Sequence, residues 1–202
     1  MRQIKTTKPG ARTRESGSTM IEVMIAMVVM LVGMLAVMFT FATATAATQS
    51  AEEDLIARQK VLEAMESIYT ARNSQQISFS AVANVSNGGI FLSGPQPLLC
   101  PGPDGLSGTG DDVACTTSAG ATCPGNGAEC MVLPGPDGIL GTADDVTMSL
   151  GNFTRTIAIS PVLLPNGNPN PNLSAISITV SYTKAGIPAR TFTASGLISS
   201  YH

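Results

Sequence analysis

The sequence contains one histidine, and it is residue 202. No Ser-His-Asp or Cys-His arrangement can form within the chain, which removes the common nucleophilic hydrolase systems. No glycine loop follows a strand and opens a helix in the way that cradles phosphate. The four cysteines include no CxxC pair, so the usual zinc spacing is absent. Basic residues are few, 11 Lys+Arg against 14 Asp+Glu for a formal charge of -3, which excludes a strongly basic nucleic-acid binder, and no specific nucleic-acid contact is deducible. Carboxylate-only catalysis needs an apolar pocket to raise one acid's pKa. The clustered acids of this chain lie in glycine-rich loops that offer none, and the sequence reads as a non-enzyme.

Charge is missing altogether from Val23 to Ser50. That apolar stretch exceeds the ~20 residues needed to cross a bilayer. Six of the ten methionines lie between Met20 and Met38, where an adaptable side chain can fill gaps against neighbouring helices. Charge is also segregated around this stretch. Residues 1–17 hold Arg2, Lys5, Lys8, Arg12 and Arg14 against Glu15, a net of +4, and the rest of the chain carries 6 basic and 13 acidic residues, a net of -7. By the positive-inside rule the N-terminus stays cytoplasmic and the remainder is exported.

One acid breaks the apolar pattern. Glu22 stands among Met20, Ile21, Val23 and Met24, where a carboxylate is costly unless it is paired or at the interface. The run Glu15-Ser16-Gly17-Ser18-Thr19-Met20-Ile21-Glu22 resembles the N-terminus of type IV pilins and pseudopilins: a basic leader, a Gly, four residues, a Glu and an apolar helix. The resemblance implies cleavage between Gly17 and Ser18 by a prepilin peptidase, methylation of the Ser18 amine, and pairing of Glu22 with the N-terminal amine of a neighbouring subunit during assembly. Family members usually carry Phe where this chain has Ser18. Implied partners are that peptidase, other pilin or pseudopilin subunits and an inner-membrane assembly platform.

Beyond the apolar run the pattern becomes amphipathic. Leu55, Leu62, Met65 and Tyr69, widened by Ile56, Val61 and Ile68, recur at helical spacing, and Asp54 is placed to pair with Arg58 at i,i+4. One helix from about Thr19 to Arg72 is expected. Ala81 to Val146 is rich in Gly, Pro, Asn, Ser and Thr and reads as turns and loops. It holds a repeat: residues 101–113, PGPDGLSGTGDDV, and 134–146, PGPDGILGTADDV, differ at three positions.

Each copy places three carboxylates near one another, Asp104, Asp111 and Asp112 in the first and Asp137, Asp144 and Asp145 in the second, with no basic residue in either loop. Oxygen ligands on a flexible loop suit Ca²⁺, and one or two ions are expected. The loop also resembles the calcium loop of major pseudopilins of type II secretion. Cys100, Cys115, Cys123 and Cys130 fall in the same region, outside the membrane, where disulfides are favoured. Three pairings are open, and Cys100–Cys115 with Cys123–Cys130 is preferred.

After the second loop the period changes to two, giving strands at about 153–160, 175–182 and 190–198, with 165–171 as a longer exposed loop. The expectation is an α+β, pilin-like chain: a leader over 1–17, a membrane or filament-core helix over 18–50, its amphipathic continuation over 51–72, and an exported head over 73–202 with an antiparallel sheet. Its place is the bacterial inner membrane before assembly and a periplasmic or surface filament afterwards. A membrane-anchored calcium or adhesion module that does not polymerise is the other expectation.

Overall fold

A computed structural model describes residues 19–117, 120–184 and 187–201. Internal packing divides the chain into two compact units, 1–50 and 51–202. A single helix, α1, runs Met20–Asn73 through both. In the first unit every described residue up to Gln49 is exposed. So large an apolar surface is untenable in water, and α1 is long and apolar enough to cross a membrane. Toward the end of this unit the helix turns polar in an inconspicuous way. Thr40, Thr43, Thr45, Thr48 and Ser50 each donate their hydroxyl to a carbonyl three or four residues back, so that these five donors are satisfied within the helix itself.

In the second unit α1 packs on an antiparallel sheet through Ile56, Ala57, Val61, Ala64, Ile68 and Ala71. This differs from the stripe expected from the large side chains, since Leu55 and Leu62 remain 66% and 62% exposed. The reason is steric. Ala57, Ala64 and Ala71 recur every seven residues along the buried line, and their small side chains let the helix backbone approach the sheet more closely than leucines would.

The main sheet has the order β1-β4-β5-β6, with β1 Gln96–Pro97, β4 Phe153–Leu163, β5 Pro169–Lys184 and β6 Ile187–Ser199. Its inner face is built by alternation: Phe153, Ile157 and Ile159 from β4, and Ile176, Ile178, Val180 and Tyr182 from β5. Ile157 pairs with Ile178 and Ile159 with Ile176, so branched side chains meet across the ladder. The strands outrun the expected ranges. Pro169 and Pro171 lie within β5 rather than in a loop, because β6 pairs with β5 only from Leu173 onward and no β6 acceptor faces a proline nitrogen.

A second, two-stranded sheet was not anticipated: β2 Cys130–Leu133 pairs with β3 Val146–Ser149. Four residues are too few to show an alternation. The connecting segment before β1 makes short 3₁₀ turns at Phe79–Ala81 and Val85–Asn87. Buried Asn84 then covers the edge of β4, its Nδ2 donating to the Ile157 carbonyl at 2.8 Å and its Oδ1 accepting from the Ile159 amide at 2.8 Å.

Polar contacts fasten α1 to the far strands. Asp54 does not serve Arg58 as expected. It accepts from the Tyr182 hydroxyl and from Arg190, each at 2.6 Å, while Arg58 lies 4.9 Å over the Phe192 ring. Burial, reinforced by Asp54, pushes the Tyr182 hydroxyl up to about 12. Further along, Tyr69 donates to the Leu197 carbonyl at 3.0 Å. Gly196 beside it has no room for a side chain, because a Cβ there would sit 2.3 Å from the Tyr69 oxygen.

Candidate functional site

Two regions were singled out in the sequence, the N-terminal acid and the repeated acidic loops. Gly17 and Ser18 lie outside the described residues. Glu22 sits in the first turn of α1, its amide donating to the Thr19 carbonyl at 2.9 Å. A carboxylate in the first turn is favoured by the helix dipole. Its neighbours Ile21, Val23, Met24 and Ile25 are exposed apolar side chains, so it is a polar group set at the head of a lipid-compatible surface.

The two acidic loops adopt one conformation. Each is closed by an antiparallel pair, Cys100 with Val113 and Leu133 with Val146, which are equivalent positions 33 residues apart. In the first loop Asp104 Oδ1 accepts from the Leu106 amide at 2.8 Å, Asp112 Oδ2 from the Gly108 amide at 2.7 Å, and Asp111 Oδ1 from the Thr109 hydroxyl at 2.7 Å. In the second loop Asp137, Asp145 and Asp144 repeat these bonds at 2.8, 2.7 and 2.7 Å to Ile139, Gly141 and Thr142. The glycines are required. Gly105 and Gly138 both have φ of 70°, and a Cβ on Gly102 or Gly135 would strike the carbonyl oxygen of Asp111 or Asp144 at 2.2 or 2.3 Å. The Thr hydroxyls hold Asp111 and Asp144 below the usual carboxylate range.

The loops differ in what surrounds them. The first is pressed into the head: Leu106 is 2% exposed, Gly108 accepts from the Leu92 amide at 2.8 Å, and Gln76 donates to the Asp104 carbonyl at 2.5 Å. Beneath it lies Arg155 of β4, 3% exposed, with Nη2 3.8 Å from Asp112 Oδ2. Burial raises Asp112, only partly offset by the Gly108 amide and Arg155, and burial lowers Arg155. The sequence reading found no cation in either loop, and Arg155 is the residue it missed. The signal was present, since alternation from Phe153 to Ile157 puts Arg155 on the apolar face, where a guanidinium requires acids nearby. Near it, Lys60 bridges Glu63 and Glu129. Burial pulls Lys60 down, but the hydrogen bonds to these two acids more than reverse that and raise it.

The cysteines join as Cys100 with Cys115 and Cys123 with Cys130. The first bond clamps the stem of the first acidic loop. The second ends on Cys130, the first residue of β2, which leads into the second loop.

Whether the loops suit calcium turns on their oxygens. The carboxylate oxygens already accept the loop's own amides and hydroxyls, each with one further lone pair available. Among the described residues, no group of three or more His, Cys, Asp or Glu side chains is set to hold a metal ion. The donor chemistry fits a hard cation. In the first loop part of the charge is met by Arg155, whereas in the second it is met by loop amides and Thr142 alone.

No curated protein and no solved structure matches the chain. A family model does match its N-terminal part, spanning the end of the basic leader from Arg12, then Gly17, Ser18, Glu22 and most of the apolar run. Over residues 12–38 the chain carries the prokaryotic N-terminal methylation motif, which is characteristic of type IV pilins and pseudopilins.

Proposed function

We propose that this protein is a structural subunit, a minor pilin or pseudopilin, of a bacterial type IV filament system serving a pilus, type II secretion or DNA uptake. The observation that carries the proposal is the methylation motif laid over the start of a helix whose apolar stretch, residues 20–50, has Glu22 as its sole acid. The motif implies processing by prepilin peptidase and assembly with other pilin subunits. On this reading the peptidase cuts after Gly17, the Ser18 amine is methylated, and the protein waits in the inner membrane with its head outside. In the filament Glu22 pairs with the amine of a neighbour, because a carboxylate among apolar helices is tolerated when it meets a cation, and a lone partner costs several kcal/mol.

Moving α1 from lipid to a bundle of helices conserves its apolar surroundings, so extraction needs little work against the hydrophobic effect. The role is structural rather than catalytic, and the head is a scaffold of sheet, disulfides and loops. Two measurements test the proposal. Mass spectrometry of the membrane-bound protein should find Ser18 as the first residue. Glu22→Val should insert normally and enter filaments poorly. A retained Met1, or equal incorporation of the variant, would favour the anchored module that does not polymerise. We also propose Ca²⁺ as the ion the acidic loops take, from their donor set.

A further inference from the structure

The two acidic loops are the same device in two settings. The first shows what such a loop does when it has a partner: Leu106 is buried in the core, Thr109 is buried beneath the turn, and Asp112 faces the guanidinium of Arg155. The fit is close, since a Cβ added at Gly108 would meet the Ile157 Cδ1 at 2.6 Å. The second loop holds the same backbone turn and the same internal hydrogen bonds, but it stands at the tip of the β2–β3 hairpin with none of the described residues covering it. Ile139, at the position of Leu106, and Leu140 beside it are each 61% exposed. Gly141, at the position of Gly108, has no atom within 4 Å of where its Cβ would sit. Val132 and Val146 continue the exposed apolar surface down the stem.

A conformation that is fully hydrogen-bonded within itself does not need this surface exposed for folding. Two aliphatic side chains at the apex of an acidic turn are also a poor choice for a loop meant only for water. The first loop states the complement that such a turn fits: an apolar socket for one aliphatic side chain, with a guanidinium placed to meet the second acid of the Asp pair. We propose that the β2–β3 hairpin is a docking plug for a partner protein, with Ile139 entering an apolar socket on the partner and Asp145 meeting an arginine at that socket's rim. The hairpin docks this way whether the chain polymerises or stays a solitary membrane anchor. A lipid surface is not the partner proposed, since without a bound cation the loop's three carboxylates are repelled by anionic headgroups.

The test uses the full-length chain in the membranes of the cell that makes it, with the photo-crosslinking residue benzoylphenylalanine in place of Ile139. The control carries it in place of Leu163, which is equally exposed at the end of β4. The expected result is a protein adduct from position 139 well above the control, its crosslinked peptide bearing an arginine beside aliphatic residues. Adding Asp145→Asn should cut the yield several-fold, by removing the charge that meets the arginine as Asp112 meets Arg155. Asparagine keeps the oxygen that accepts the Gly141 amide, so the loop itself is preserved. A yield no greater than the control, adducts with lipid alone, a peptide without arginine, or indifference to Asp145→Asn would each overturn the proposal. An adduct with a second copy of this chain supports it where the peptide has the stated chemistry.

Discussion

Leu106→Ala and Ile139→Ala remove similar side chains from equivalent positions of one loop conformation, and they should differ sharply in cost. Leu106 is 2% exposed within the core, so truncation loses its transfer free energy and leaves a cavity. Core Leu→Ala changes cost ~2–5 kcal/mol, and a glycine-rich loop can settle partly into the space, which points to ~3 kcal/mol. For a domain of this size ~1 kcal/mol moves Tm by roughly 2–4 °C, so a fall of about 6–12 °C is expected. Ile139 is 61% exposed in the isolated protein, and its truncation should stay within ~0.5 kcal/mol, or about 2 °C. The assay is thermal unfolding of residues 51–202, a unit with its own core, followed by circular dichroism with both disulfides oxidised. Equal shifts, or a larger one at Ile139, would refute the claim that burial alone separates the two loops.

Replacing Cys100 and Cys115 by Ser opens a loop of sequence separation 15, and equilibrium denaturation should register a loss of about 3 kcal/mol. Asp144 titrates below its ordinary 3.8 because the Thr142 hydroxyl bonds its carboxylate. The order this lends the second loop is present above that value and lost as pH falls through the depressed folded value. In a carboxyl NMR titration Thr142→Val should bring Asp144 back up toward 3.8. Calcium at a hundredfold excess over its Kd should stabilise the 51–202 unit by ~2.7 kcal/mol. Asp144→Ala should remove the second loop's share of that shift, and a melting curve indifferent to Ca²⁺ would leave both loops as turns.

The apolar run and the period-two strands were legible because each is long enough for its pattern to repeat. Ile157 to Ile159 and Ile176 to Tyr182 could be placed on one face by counting alone. The helix stripe was legible at Ile56, Val61 and Ile68 but misjudged at Leu55 and Leu62, because hydrophobic size was taken as the guide. Ala57, Ala64 and Ala71 carry little apolar weight in a sequence, yet they are among the most deeply buried residues of the helix. The β2–β3 pair was hidden since its partners are separated by the twelve residues of the acidic loop, and nothing local joins Leu133 to Val146. The acidic repeat itself was visible, but its asymmetry was not. Whether a loop is covered depends on residues such as Arg155 and Ile157, which lie far along the chain.

The polar ties between α1 and the last strands have a bearing on how the head is made. Tyr182 reaches Asp54 across 128 residues, Arg190 reaches the same acid across 136, and Leu197 receives Tyr69 across 128. The helical stripe from Ile56 to Ala71 therefore emerges early in synthesis and finds its sheet only after nearly the whole chain has followed. Throughout that interval its apolar line is uncovered, a delay in which aggregation competes with folding. Half of that stripe is alanine, Ala57, Ala64 and Ala71 against Ile56, Val61 and Ile68, so the spacing that seats the helix in the finished head also lowers the apolar area it shows while it waits.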